Sequence, residues 1–185
     1  MTASMHNPVL PRLIILHCFG KTSRDRWYRS VGNAVTDIFD IVLPDLPNPD
    51  TGRMSEWLPV LQALKPDQQT VLVGHSLGGL LILRYLETAT EPVAGFYTVA
   101  APIGTLDRDD LLETGFFDRE LGWEAIKHNA NRRFIIASTD DATVPFEQAQ
   151  EIAKRVDGEL IQFSDKGHFK QDDFPELITR LRTDW

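Results

Sequence analysis

The segment over residues 71–79, V-L-V-G-H-S-L-G-G, carries the serine best placed for nucleophilic chemistry. An apolar strand pattern runs into G-H-S-L-G at residues 74–78, and a helical pattern follows. So abrupt a turn needs glycine on both sides of the serine, because side chains there would collide with their neighbours. The turn lifts the Ser76 hydroxyl clear and leaves the Leu77 amide unpaired at a helix N-terminus, where an oxyanion would form. The motif therefore predicts Ser76 as nucleophile and Leu77 N–H as an oxyanion donor.

A serine hydroxyl is a poor nucleophile at neutral pH and needs a base, for which histidine is the usual residue. His168 lies in D-K-G-H-F at residues 165–169, directly after the last predicted strand. Side chains in that position reach the carboxyl edge of a parallel sheet. We therefore predict His168 as the base. The other histidines fit less well: His6 is near the terminus, His17 ends the first strand, His75 has a structural role beside the serine, and His128 is in a polar helical segment.

The base needs a carboxylate that accepts its second N–H and stabilises the imidazolium. The segment S-T-D-D-A-T-V-P at residues 138–145 follows a buried strand and offers Asp140 and Asp141. Either aspartate lies between serine and histidine along the chain, which is the order of α/β-hydrolases. At this point Asp141 is the first candidate and Asp140 the alternative.

A second oxyanion donor normally comes from the loop after the first strand of such a sheet. Here that loop reads H-C-F-G at residues 17–20. Phe19 N–H is the first candidate and Cys18 N–H the alternative. We interpret the Cys18 thiol as buried and inert, because nothing nearby in sequence would lower its pKa.

Short apolar runs alternate with segments of helical period, which is typical of a parallel sheet covered by helices. Near-continuous hydrophobicity, as at residues 71–73 and 134–136, is what strands buried on both faces require. The predicted strands are residues 12–17, 40–43, 70–74, 93–100, 133–138 and 159–163, and the predicted helices are residues 25–39, 55–64, 77–88, 146–156 and 175–182.

The resulting prediction is a three-layer α/β fold with a mostly parallel six-stranded sheet, helices on both faces and a single domain over residues 1–185. The acidic stretch at residues 102–131 shows no strand pattern, and we expect it to pass over the edge of the sheet. So short a chain leaves little room for a large cap domain.

Composition excludes several classes of protein. The chain has 185 residues, with 42% hydrophobic and 25% charged, as in an ordinary globular domain. Its 19 basic and 27 acidic residues give a formal charge of −8 without a basic tract, so a nucleic-acid partner is not expected. Its single cysteine excludes an intrachain disulfide and a multi-cysteine metal site.

The first twenty residues lack a basic leader and a small-residue cleavage site, and no apolar run is long enough to span a membrane. We therefore expect a cytoplasmic protein with no membrane partner.

Several separate segments together resemble one family of small, lidless α/β-hydrolases. These are residues 26–28, 57–59, 74–78, 115–117, 123–127, 138–141, 144–145 and 167–169. The sequence is similar over nearly its whole length to the retinoblastoma-binding serine hydrolase family, which includes bacterial proteins of the YdeN type. This resemblance implies a triad of Ser76, His168 and Asp141, since the family's acid is the second aspartate of the pair.

Two departures from that family are visible. The first loop, at residues 17–20, differs from the Pro-Gly-Asn type of loop found in many relatives. The L-x-C-x-E segment associated with retinoblastoma-protein binding is absent, because L-K-P-D-Q stands at residues 64–68. That protein partner is therefore not expected here.

The predicted reaction is acyl transfer to water through an acyl-enzyme, on a small ester or amide, without a metal or organic cofactor. Two alternatives remain: an acyltransferase with the same triad, or a catalytically silent interaction module on the same fold. The large aromatic side chains are candidates for a substrate pocket or for the core. As pocket candidates we name Trp27, Trp57, Phe116 and Trp123, with Phe117 a further aromatic residue of the same kind.

Overall fold

The computed structural model describes residues 10–185. His6, and residues 1–9 of the segment assessed for an export signal, lie outside this part of the chain.

Six strands form one sheet in the order β2-β1-β3-β4-β5-β6, and every neighbouring pair is parallel. All carboxyl ends therefore meet at one edge, where side chains from different loops can combine into a site. The strands are β1 (Arg12–Leu16), β2 (Asp40–Val42), β3 (Thr70–His75), β4 (Val93–Val99), β5 (Ala130–Ser138) and β6 (Glu159–Phe163).

Seven helices are described, and they cover both faces of the sheet. One face carries α1 and α7, while α2, α3, α5 and α6 pack on the other. The helices are α1 (Tyr28–Ala34), α2 (Met54–Ala63), α3 (Leu77–Leu86), α4 (Asp109–Leu112), α5 (Trp123–His128), α6 (Phe146–Val156) and α7 (Pro175–Asp184).

The central strands show why their sequences are almost continuously apolar. Successive residues of β3 point to opposite faces, so Val71 and Val73 belong to the α1/α7 core while Leu72 belongs to the opposite core. Neither face meets water, and all three side chains are fully buried. The strand leads directly into α3, in which every residue is buried.

The predicted fold is confirmed: three layers, six parallel strands and no large cap. The boundaries differ from the prediction mainly at the first helix, expected over residues 25–39 but found as Tyr28–Ala34. β5 also begins earlier than predicted, at Ala130, because its first residues pair with β4 despite their polar side chains.

The expected path of residues 102–131 is wrong. This connection does not pass over the sheet edge, because its helix α5 packs against α3, α6 and β5 on one face of the sheet. Buried Phe116 and Ile126 join the core there, and residues 130–131 already belong to β5. Within residues 10–185, no helix combines the length and the apolar character that crossing a membrane requires.

Candidate active site

Ser76 lies at the turn between β3 and α3 in a backbone conformation that non-glycine residues rarely adopt. Its φ is 51° and its ψ −119°. A Cβ at Gly74 would lie 2.4 Å from the Gly78 carbonyl oxygen, and one at Gly78 would lie 2.5 Å from the His17 carbonyl oxygen. Only glycine fits at either position. The Ser76 N–H donates to the Val99 carbonyl at 2.8 Å, which ties the turn to the end of β4.

His168 comes within hydrogen-bond distance of Ser76 across the carboxyl edge of the sheet. Its Nε2 lies 3.1 Å from Ser76 Oγ, and its Nδ1 lies 2.8 Å from Asp141 Oδ2. Because a carboxylate can only accept, Nδ1 carries the proton and Nε2 is left to accept from the serine hydroxyl. The structure thus brings together three predicted residues from the loops after β3, β5 and β6.

Asp141 is held in place on both of its oxygens. Oδ1 accepts the N–H groups of Thr143, at 2.7 Å, and Val144, at 3.1 Å, while Oδ2 faces His168. Burial by itself would raise the pKa of Asp141, but the hydrogen bond and charge of His168, with these two amides, lower it overall. A carboxylate that stays ionised in a buried position can stabilise an imidazolium.

Asp140, the alternative acid, does not contact the imidazole. Its Oδ1 accepts the hydroxyl of Ser138 and the N–H of Gly167, the latter at 2.9 Å. The Ser138 hydroxyl in turn accepts the Lys166 N–H at 3.1 Å. Asp140 therefore holds the loop that presents His168, which is a positioning role.

The two candidate oxyanion donors after β1 differ in their partners. Cys18 N–H donates to the Tyr28 hydroxyl at 3.2 Å. Among residues 10–185, no acceptor pairs with the N–H of Phe19 or of Leu77. Both residues line the cavity at Ser76, so these two amides are the ones left available for an oxyanion. Burial raises the pKa of the Cys18 thiol, as expected for an inert cysteine.

His75 and Tyr28 form a buried chain of hydrogen bonds beneath the site. The Tyr28 hydroxyl lies 2.7 Å from His75 Nδ1, and His75 Nε2 lies 2.9 Å from the His168 carbonyl. Since a carbonyl only accepts, Nε2 carries the proton and Nδ1 accepts from Tyr28. Burial first, then the nearby charges of His168 and Arg26, hold the pKa of His75 well below its usual range, so it stays neutral. The sequence analysis included Tyr28 in the segment over residues 26–28 but did not predict its role, because no local pattern indicates which group its hydroxyl contacts.

His17 is a second buried histidine, and it joins loops instead of serving as a base. Its Nδ1 lies 3.0 Å from the Cys18 carbonyl, and its Nε2 accepts the Leu46 N–H at 2.8 Å. Burial lowers its pKa. Its ring packs edge-on against Trp57, with 5.4 Å between ring centroids.

The expected aromatic pocket is corrected by the structure. Trp27, Trp57 and Phe116 are fully buried, and each takes part in the core instead of the cavity at Ser76. Trp57 donates its Nε1–H to the Pro47 carbonyl at 2.8 Å, and Trp27 donates to the Phe169 carbonyl at 3.1 Å. Large aromatic residues contribute most when removed from water, so composition alone does not separate core from pocket.

A separate cavity of about 480 Å³ is lined by Trp123, the remaining aromatic candidate, together with Phe116 and Phe117. Ile103, Gly104 and Thr105 line this second cavity, and Pro102 and Leu106 line the one at Ser76, so the segment over residues 102–106 separates the two.

The cavity at Ser76 measures about 160 Å³. Its walls are Phe19, Leu77, Pro102, Leu106 and Leu111 on the apolar side, with Arg26, Arg108 and Lys170 among the polar residues. The three cations were missed by sequence reasoning, because basic residues scattered over 144 positions give no local pattern. Within the described part of the chain, no three His, Cys, Asp or Glu side chains are grouped to hold a metal ion.

Comparisons with known proteins agree with this architecture. A family model described as alpha/beta hydrolase fold matches residues 11–130. Serine hydrolase RBBP9 of Rattus norvegicus is 35% identical over 167 residues, which is 89% of each chain. YdeN of Bacillus subtilis (strain 168) is 31% identical over 170 residues, covering 88% of this chain and 87% of its own.

Solved structures give the same result. The ydeN gene product of B. subtilis superimposes with a TM-score of 0.87 and 26% identity, over 93% of this chain and 97% of its own. Est1E of Butyrivibrio proteoclasticus shares the fold, with a TM-score of 0.73 and 16% identity over 96% of this chain and 88% of its own.

Fold and relatives together define the class of this protein as a serine hydrolase of the α/β-hydrolase fold. Within that class, the chain belongs to the family of RBBP9 and YdeN. The resemblance inferred from the sequence is confirmed.

Proposed function

We propose that the chain acts as one catalytic domain that hydrolyses a small ester or amide through an acyl-enzyme on Ser76. His168 takes the hydroxyl proton as Ser76 Oγ bonds to the carbonyl carbon, and the N–H groups of Leu77 and Phe19 bind the oxyanion. His168 then gives that proton to the departing alcohol or amine. Water, activated by the same histidine, cleaves the acyl-enzyme and releases the acid.

One observation carries this proposal: an unbroken hydrogen-bonded path from Asp141 through His168 to Ser76. Both links, of 2.8 Å and 3.1 Å, are within the range needed for proton transfer. The side chains of His168 and Asp141 are only 8% and 3% exposed, so water competes little for either bond.

The size of the cavity supports a small substrate. About 160 Å³ is below the range of about 300–1,000 Å³ usual for sites that enclose a drug-sized ligand. Carboxylesterase-like and aminopeptidase-like acyl hydrolysis are the two subtypes under consideration.

The location and partners are expectations from composition. The chain is acidic, so we expect no nucleic-acid partner. Its single cysteine is buried, which suits a reducing compartment, and we expect a cytoplasmic location with no membrane partner.

Covalent labelling of the purified protein by a fluorophosphonate, read by intact mass, tests the mechanism. We expect a single adduct that is absent from Ser76→Ala and forms at least about 100-fold more slowly in His168→Ala, because the serine then lacks its base. Asp141→Ala should also be slowed, whereas Asp140→Asn keeps an oxygen that accepts from Ser138 and Gly167 and should label at nearly the normal rate. No adduct on the unmodified protein, or an adduct that persists in Ser76→Ala, would contradict the proposal.

The transferase alternative is separated from hydrolysis by product analysis. Adding a competing alcohol or amine during turnover of a small ester should leave the free acid as the main product. A predominant transfer product would identify an acyltransferase instead.

A further inference from the structure

The cavity at Ser76 has a charge opposite to that of the chain. Three cationic side chains, Arg26, Arg108 and Lys170, line it, and none of its lining residues is an aspartate or glutamate. The whole protein, by contrast, has 27 acidic and 19 basic residues. A positive cleft on an acidic protein favours an anionic ligand and repels a cationic one.

The three cations are not equally available to a ligand. Arg108 is already paired with Asp110, and its guanidinium lies over the Phe19 ring, 5.7 Å from the centroid. Among residues 10–185, neither Arg26 nor Lys170 has a carboxylate within salt-bridge distance. Residues 1–9 contain no aspartate or glutamate that could serve.

Arg26 is the more constrained of the two available cations. Its side chain is half-buried, and within residues 10–185 the one side chain in its hydrogen-bond reach is His75, with Nη1 3.3 Å from Nδ1. That nitrogen already accepts from the Tyr28 hydroxyl, so it gives little to the guanidinium. A partly desolvated guanidinium with five donors and no anionic partner is a favourable position for a carboxylate.

The position of both cations indicates which part of the substrate they face. The leaving group must lie beside His168 Nε2, because it receives its proton there. Lys170 follows His168 by two residues. Arg26 contacts His75, whose ring centroid is 5.2 Å from that of His168. Phe19, Leu77 and two leucines, Leu106 and Leu111, give the same cavity an apolar surface that suits the acyl chain.

We propose that Arg26 and Lys170 bind a carboxylate on the leaving group, so that the substrates are O-acylated hydroxy acids or N-acylated amino acids. This inference rests on the proposed function of Ser76. The carboxylate is a small anion, in keeping with a cavity of about 160 Å³.

A matched pair of substrates tests this preference: 4-acetoxybenzoate and 4-acetoxybenzamide have the same acyl group and leaving phenols that differ in charge. The measured quantity is kcat/KM for 4-acetoxybenzoate divided by kcat/KM for 4-acetoxybenzamide. Comparing this ratio between the unmodified protein and a variant removes the intrinsic difference between the two phenols. We expect the ratio to be about tenfold lower in Arg26→Gln or Lys170→Gln, and lower still in the double variant, as one charge-assisted contact is lost each time.

Three controls separate charge recognition from a structural effect. Arg26→Lys should retain most of the preference. Arg24→Gln and Lys154→Gln remove exposed cations outside the cavity and should leave the ratio unchanged. Raising the ionic strength from about 0.02 M to 0.5 M should lower kcat/KM for the anionic ester more than for the amide, because salt screens the attraction.

The outcomes distinguish this inference from the proposed function. Absence of a fluorophosphonate adduct at Ser76 would overturn both. Normal labelling, with the anionic ester turned over no better by the unmodified protein than by both Gln variants, would overturn only the carboxylate site.

Discussion

Two sets of contacts hold segments that lie on the two faces of the sheet, and their chemistry differs. On the α1/α7 face, an aromatic support lies under the loop that carries His168. Its rings pack against one another at centroid distances of 4.7–5.8 Å, and its hydrogen bonds to the carbonyls of His168 and Phe169 join neutral groups. The aromatic support consists of Trp27, Tyr28, His75, Phe169 and Phe174.

On the opposite face, an arginine clamp formed by Arg84, Glu87 and Arg119 fixes the connection between β4 and β5 through charged groups. The Arg84 guanidinium donates to the carbonyls of Phe116 and Glu120 and to the Glu87 carboxylate. Glu87 also accepts from Arg119 and from the Gly122 N–H. The side chains of Arg84 and Glu87 are only 3% and 4% exposed.

The difference follows from what each region must hold. The connection contains carbonyls without strand partners, and one buried arginine satisfies several of them at once. Beneath His168, a neutral His75 donates to the His168 carbonyl and so positions that loop without a buried ion pair.

The largest loss in the free energy of unfolding is expected when the arginine clamp is broken. Arg84→Met should lower the free energy of unfolding by about 3–5 kcal/mol, because it leaves the Glu87 carboxylate buried beside one largely exposed arginine. Denaturant unfolding measures the loss. The double variant Arg84→Met/Glu87→Leu should recover part of it, and a loss under about 1 kcal/mol in the single variant would show that the clamp is not a buried ion pair.

A smaller loss in the free energy of unfolding is expected when the pH is lowered, because two neutral histidines, one in the aromatic support and one beside it, then become protonated on unfolding. Burial lowers the pKa of both His17 and His75, so the unfolded chain binds protons that the folded chain refuses. Their stabilising effect is complete above the ordinary histidine pKa and is lost as pH falls below about 6.5, by at most about 2 kcal/mol per histidine at pH 5.

Thermal or urea unfolding between pH 7.5 and 5 measures this dependence. His17→Gln should flatten the slope, because the variant lacks one of the two histidines whose pKa burial lowers. A stability that stays constant over this range would mean that the buried histidines titrate normally.

The smallest change in stability is expected at the aromatic support itself. Trp27→Phe removes the Nε1–H that donates to the Phe169 carbonyl, next to His168 in the chain, and should cost about 1–2 kcal/mol. Because the His168 loop is then less firmly held, we expect kcat to fall about tenfold while KM changes little. Steady-state kinetics on a small ester, with Leu112→Ala on the exposed surface as control, measures this split. A change in KM alone would indicate that Trp27 affects substrate binding instead of the position of the base.

The elements of the fold were predictable because their signals are local. Continuous apolar runs indicate strands covered on both faces, and the G-H-S-L-G turn can form only where Gly74 and Gly78 allow close packing. The first helix was predicted too long, since residues 35–39 keep an apolar pattern while forming turns. The path of residues 102–131 was missed because its anchor, Arg84, lies in a different element.

The candidate site, like the fold, was predictable only in part. Residue types and chain order were enough to name Ser76, His168 and the aspartate pair, since nucleophile, base and acid must follow parallel strands of one sheet. Which aspartate faces the imidazole depends on how the loops after β5 and β6 meet, and the structure gives that contact to Asp141.

What the sequence alone determined, then, was the class of fold and the candidate triad, because both are encoded in short segments with strict steric and chemical requirements. Tertiary structure decided the rest. The buried tryptophans became core, and Arg26 and Lys170, 144 positions apart, came to line one cavity. Such groupings depend on which loops a parallel sheet brings to its carboxyl edge, and no local pattern along the chain records them.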